Sequence, residues 1–168
     1  MNLDFSPLLG ALDDMLAAHR ELLALGAEKQ SVIIAGEVER LSAIVQREMR
    51  LMQQSASSDK KRGLAAEALA EAAEMTGPEL SLSALGTLAN AETAALLADK
   101  GQELRLLLMR QKALNTKAKE LLETHIQFGD MMLNLLVGPE DPLNNIYGAK
   151  GLEENGRRQS AGLFDKQV

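Results

Sequence analysis

Residues 90–137, NAETAALLADKGQELRLLLMRQKALNTKAKELLETHIQFGDMMLNLLV, decide the fold. Leu97, Leu104, Leu107, Leu108, Gln111, Leu114, Ala118, Leu121, His125, Phe128, Met132 and Leu135 return at intervals of three and four over several heptads. That is the spacing of a helical, coiled-coil-like seam, not the alternation of a half-buried strand. Roughly 45 residues at 1.5 Å rise predict a rod about 70 Å long. Such a rod needs a second long element beside it, and the N-terminal region is the one candidate. The expectation is an all-α fold: an elongated antiparallel helical bundle with long N- and C-terminal helices and a flexible C-terminal tail.

Working outward, the N-terminal region carries its own helical stripe through Leu8, Leu12, Met15, Leu16, His19, Leu22, Leu23 and Leu25. Ser6 is the expected N-cap, with Pro7 in the first turn. Gly36 interrupts the pattern and leaves two alternatives, one bent helix or two helices. A second stripe follows through Val38, Leu41, Ile44, Val45, Met49 and Met52. Ser55, Ala56, Ser57, Ser58 and Asp59 read as a polar break or a weakly helical stretch, and the Ala/Glu-rich segment 64–75 as helix. Thr76, Gly77 and Pro78 read as its stop, and Ser81 or Ser83 as the cap of a short turn before the long helix. After Gly138 and Pro139 every period is lost among Gly, Pro and Asn, so residues 1–137 are expected to form the helical bundle domain and 138–168 a flexible Gly/Pro/Asn-rich tail.

Composition narrows the function. The 168 residues include no cysteine, which excludes thiolate metal sites, disulfides and a Cys nucleophile. The net charge of -6 opposes phosphate backbones and anionic lipid, and four aromatics leave little for stacking on bases. Lys60, Lys61 and Arg62 read as a solvated face or loop. No apolar run reaches the length of a membrane span, and the first residues lack the pattern of a signal peptide. Neither nucleic-acid binding nor membrane insertion is expected, and the expected location is cytoplasmic.

Catalytic chemistry is not expected either. His19 and His125 are the two histidines, and both sit on apolar stripes where a partly buried structural role is the expectation. A di-iron bundle needs Glu-x-x-His, but Leu16 and Leu122 stand three residues before them. No phosphate-binding glycine loop and no H-E-x-x-H occurs. The expectation is therefore no catalytic residue, no metal and no cofactor, and a protein that works by presenting helical surface to other helices.

Asn115, the pair Leu121 and Leu122, the run HIQFGDMMLNLL over 125–136 and the terminal Tyr147-Gly148-Ala149-Lys150-Gly151 together resemble the FlgN family of flagellar type III export chaperones. Leu80-Ser81-Leu82-Ser83-Ala84-Leu85 resembles the family's approach to its last long helix, and Lys29, Gly36, Glu37 and Leu41 its N-terminal pattern. Two positions depart from it: Glu37 replaces the usual Asp, and Ala118 stands where a second Asn is common. The resemblance implies a chaperone that binds hook-filament junction proteins of the FlgK and FlgL type and delivers them to the export gate protein FlhA. It implies that Tyr147 docks on that gate, with packing back on the bundle end as the alternative. Cargo contact is expected at Leu121, Phe128, Met131, Met132, Leu135 and Leu136, which span more than one helical face. The alternative for these six is closure of the bundle or a homodimer. A self-associating helical scaffold without a client is the rival function, and a helical metal or ligand carrier a third. Phe5 and Phe164 have no assigned role.

Overall fold

The computed structural model describes residues 3–74 and 81–137. Within them lie four helices and no strand: α1 Ser6–Ala35, α2 Val38–Ala72, α3 Leu82–Gly86 and α4 Ala91–Val137. The all-α bundle expected from periodicity is what forms. The chain divides into two units, Met1–Lys119 and Glu120–Val168.

In Met1–Lys119 the start of α1 differs from expectation. Ser6 is the first helical residue, not its cap. The N-cap position is Phe5, and the Asp4 carboxylate accepts a 2.9 Å hydrogen bond from the Ser6 backbone N–H. Asp4 thus satisfies one of the orphan donors of the first turn, and Pro7 has none to satisfy. Phe5 itself is buried, packed in one cluster with Leu8, Leu12, Ala66, Leu69, Leu85 and Leu97, so it ties α1 to the other three helices.

Gly36 settles the question of one helix or two. It adopts a left-handed conformation, φ 69°, its N–H donates to Ile33 O, and the Glu37 N–H reaches back to Val32 O at 3.1 Å. This is a Schellman stop, which closes the carbonyls at the end of α1 and reverses the chain into α2. α2 then continues through Ser55–Asp59 without a break, because Ser55 and Ser58 are buried on the face it turns to α1. Four of the six positions in the expected apolar stripe of α2 are wrong for the same reason. Ile44 is buried and Leu41 half-buried, but Val38, Val45, Met49 and Met52 face outward. The inward face is completed by Leu51, small Ser and Ala residues and the half-buried Glu48. α2 ends at Ala72 and Glu74 takes φ 53°; Thr76, Gly77 and Pro78 lie outside the described residues.

Ser81 caps α3, accepting from Ala84 N–H at 3.1 Å, and Asn90 caps α4 by accepting from Thr93 N–H at 2.8 Å. Cross-helix pairs set the directions. Lys29 meets Glu48, and Ser55 meets His19, so α1 and α2 are antiparallel. Asp13 pairs with Lys100, Arg20 with Glu103 and Lys29 with Asn115, so residues 91–119 of α4 run alongside α1 in the same direction. At two close approaches a side chain in place of glycine would push a leucine aside by a few tenths of an ångström. A Cβ on Gly26 would stand 3.3 Å from Leu114, and one on Gly101 3.2 Å from Leu82.

Candidate functional site: an exposed apolar helix face

Two polar layers cross the three-helix seam of Met1–Lys119. In the first, Gln111 Nε2 donates to the His19 carbonyl at 3.2 Å, which leaves its Oε1 as the acceptor for His19 Nδ1–H at 2.9 Å. His19 Nε2 then accepts from the Ser55 hydroxyl at 2.9 Å. Serine, histidine and a third group in line have the outline of an acyl-transfer triad. The chemistry is wrong for that role: Ser55 is 8% exposed, inside a helix, and an amide in place of a carboxylate carries no charge to stabilise an imidazolium. The layer satisfies polar groups that bind α1, α2 and α4 together, the structural role expected of His19. In the second layer Lys29 Nζ donates to both Glu48 oxygens at 2.8 and 2.9 Å and to Asn115 Oδ1 at 3.2 Å.

A groove of about 790 Å³ lies between α3 and α4, with Leu82, Leu97, Gln102, Arg105 and Leu106 in its lining. Its walls are mixed in character, without a continuous apolar stripe of helical period.

The C-terminal part of α4, in Glu120–Val168, is different. Leu121 and Asp130 are half-buried, and every other residue from 122 to 136 is exposed. Eight large apolar side chains are exposed: Leu122, Ile126 (59%), Phe128 (59%), Met131, Met132, Leu133, Leu135 (73%) and Leu136 (78%). At 100° per residue, Leu121, Phe128, Met132 and Leu135 form one stripe, with Met131 and Leu136 on its two margins. The six residues expected to contact cargo therefore spread over an arc of about 140°, more than one narrow helical face, as their spacing implies. Sequence reasoning missed Leu122, Ile126 and Leu133, which extend that arc on the Leu136 side; their four- and seven-residue spacing was the signal. Together the apolar positions cover an arc of about 220°, and Glu123, Gln127, Asp130 and Asn134 occupy the remainder.

An arc that wide exceeds the stripe of about 100° by which a surface helix meets a core. Chemically it can do one thing, bury another apolar surface, and α-helical partners match its period best. His125 belongs to this exposed region and not to a buried seam. Its Nδ1–H donates to the Leu121 carbonyl one turn back at 2.9 Å, which corrects the expectation of a partly buried histidine. Tyr147 and Phe164 lie outside the described residues. No described helix is long and apolar enough to cross a membrane.

Among protein-family models, FlgN, described as FlgN protein, matches residues 1–155, over nine-tenths of the chain. Neither the curated proteins nor the solved structures include a significant match.

Proposed function

Because the chain belongs to the FlgN family, a family of flagellar export chaperones, we propose that it holds hook-filament junction proteins of the FlgK and FlgL type in the cytoplasm and hands them to the export gate protein FlhA. The observation that carries this reading is the apolar face of α4 over residues 121–136, left open to solvent. Unassembled axial proteins with amphipathic terminal helices need such a face, and Leu121, Phe128, Met131, Met132, Leu135 and Leu136 supply long, adaptable side chains for it. No group transfer is required. In this reading residues 1–137 act as the chaperone domain and the segment 138–168 carries the gate contact through Tyr147. A single tyrosine offers a large contact area at low conformational cost, as suits a transient interface.

Co-purification over a sizing column tests the proposal. A stable complex with FlgK or FlgL type proteins is expected, and homo-oligomers alone would favour the self-associating scaffold. Tyr147→Ala is expected to weaken FlhA binding at least tenfold and leave the client complex intact; unchanged gate affinity removes the role given to Tyr147.

A further inference from the structure

The outward residues of α2 are not scattered. Val38, Ser42, Val45, Met49, Met52 and Ala56 follow each other at steps of four, three, four, three and four, an a/d seam of about 27 Å. All six are exposed, Val38 at 68%, Met49 at 57% and Met52 at 62%. This seam lies on a different helix from the α4 face and nothing in the proposed function uses it.

The charges beside it select an occupant. In the first half of α2 and the turn before it, Glu37 pairs with Arg40, Arg40 also with Glu28, Arg47 with Glu21, and Glu48 with Lys29. Glu39 and Arg50 have no ion-pair partner among the described residues. Each follows a seam residue by one position, Glu39 after Val38 and Arg50 after Met49, so both stand on the same flank, towards opposite ends. An antiparallel copy of the same helix brings each acid to the flank that carries the other chain's base. A parallel copy turns this flank away from its own equivalent, so Glu39 and Arg50 of the two chains do not meet. Antiparallel self-pairing also layers Val45 on Met49 in both directions, Ser42 on Met52 and Val38 on Ala56, as a two-fold, self-complementary interface requires. The opposite flank, Leu41, Glu48 and Ser55, is buried or half-buried in the chain's own bundle and is not needed.

We propose that the outer seam of α2 is a homodimer surface, occupied by a second copy of this chain in antiparallel orientation across Val45 and Met49. Five turns of helix bury an area near or under the low end of about 1,200 Å² for stable interfaces, so the association is weak and reversible, in the micromolar range.

Sedimentation velocity of the full-length chain across a concentration series tests this. A reversible monomer–dimer equilibrium is expected. Val45→Glu should weaken dimerisation at least tenfold, with the far-UV helix signal and melting temperature near those of the parent chain, because Val45 is exposed. Arg50→Glu alone and Glu39→Arg alone should each weaken it several-fold, and the double exchange should restore it; these surface changes keep the test valid should Val45→Glu unfold. A chain that stays monomeric at hundreds of micromolar, or a dimer indifferent to Val45→Glu and to the charge exchange, overturns the proposal. So does a dimer lost on Leu135→Glu in α4 instead, or an α2 seam whose variants lose client binding while the parent chain is monomeric.

Discussion

Gly36 and Gly10 show how one residue type does opposite work at two positions. At Gly36 a Cβ would meet nothing, but the backbone is left-handed at φ 69°. Gly36→Ala should therefore cost about 1–2 kcal/mol from backbone strain alone. Gly10 is helical, exposed and also open to a Cβ, so Gly10→Ala should stabilise by about 0.5–1 kcal/mol. Urea melts of the two variants should shift in opposite directions. Asp4 gives a pH signature at the same scale. The hydrogen bond from the Ser6 backbone N–H holds its carboxyl below the ordinary value. Its contribution is complete above the unfolded value of about 3.9 and disappears as pH falls through the lower folded one. Asp4→Asn should remove that part of the acid sensitivity of the melting temperature, and an unchanged profile between pH 2 and 5 would show that the bond does not matter to stability.

At the scale of the helix, exposure separates function from stability. Phe128 and Leu135 are 59% and 73% exposed, whereas Leu97 is 1% exposed within the core cluster. Phe128→Glu with Leu135→Glu should abolish the client complex and leave the melting temperature within about 0.5 kcal/mol equivalent. Leu97→Ala should cost about 2–5 kcal/mol through the cavity it leaves. Calorimetry of both, with a client pull-down, checks the pair. Helix α4 was legible because its period is long and uninterrupted, and Leu121, Phe128, Met132 and Leu135 came with it. In α2 the apolar stripe points the wrong way, and of the two alternatives for Ser55–Asp59 the helical one holds, both from one cause. Its inward face carries Ser55, Ser58 and Glu48, and its outward face Val38, Val45, Met49 and Met52, so hydrophobicity alone points away from the core.

At the scale of the molecule, within Met1–Lys119, direction and register rest on polar layers. Lys29 and Glu48 are 13% and 15% exposed and their pair extends to Asn115, so one cluster holds α1, α2 and α4. Three residues in the family resemblance thus have physical jobs here: Lys29 and Asn115 join helices, and Gly36 reverses the chain. Ala118, at a position where the family often has Asn, is buried and leaves the polar contact to Asn115. Removing one charge strands the other. Lys29→Met should cost about 1–3 kcal/mol, less than the 3–5 of a fully buried pair because some solvent reaches it, and Lys29→Met with Glu48→Met should recover most of that loss. A double mutant as unstable as the single one would mean that the pair contributes net stability and not only register. Chemical denaturation of the three variants decides it.

By itself the sequence determined the helical class, the extent of α4, the broad apolar face near its end and the family. All of these are written in local spacing and short motifs, which need no partner to be read. Tertiary structure decided which face of α2 turns inward, that Phe5 and not Ser6 anchors the entry to α1, and that α4 runs with α1 and against α2 over residues 91–119. Those outcomes depend on pairs far apart in the chain, Lys29 with Asn115, His19 with Gln111 and Phe5 with Leu97. No local pattern encodes them, because a serine or a lysine is favourable in a core only once its partner has been brought to it.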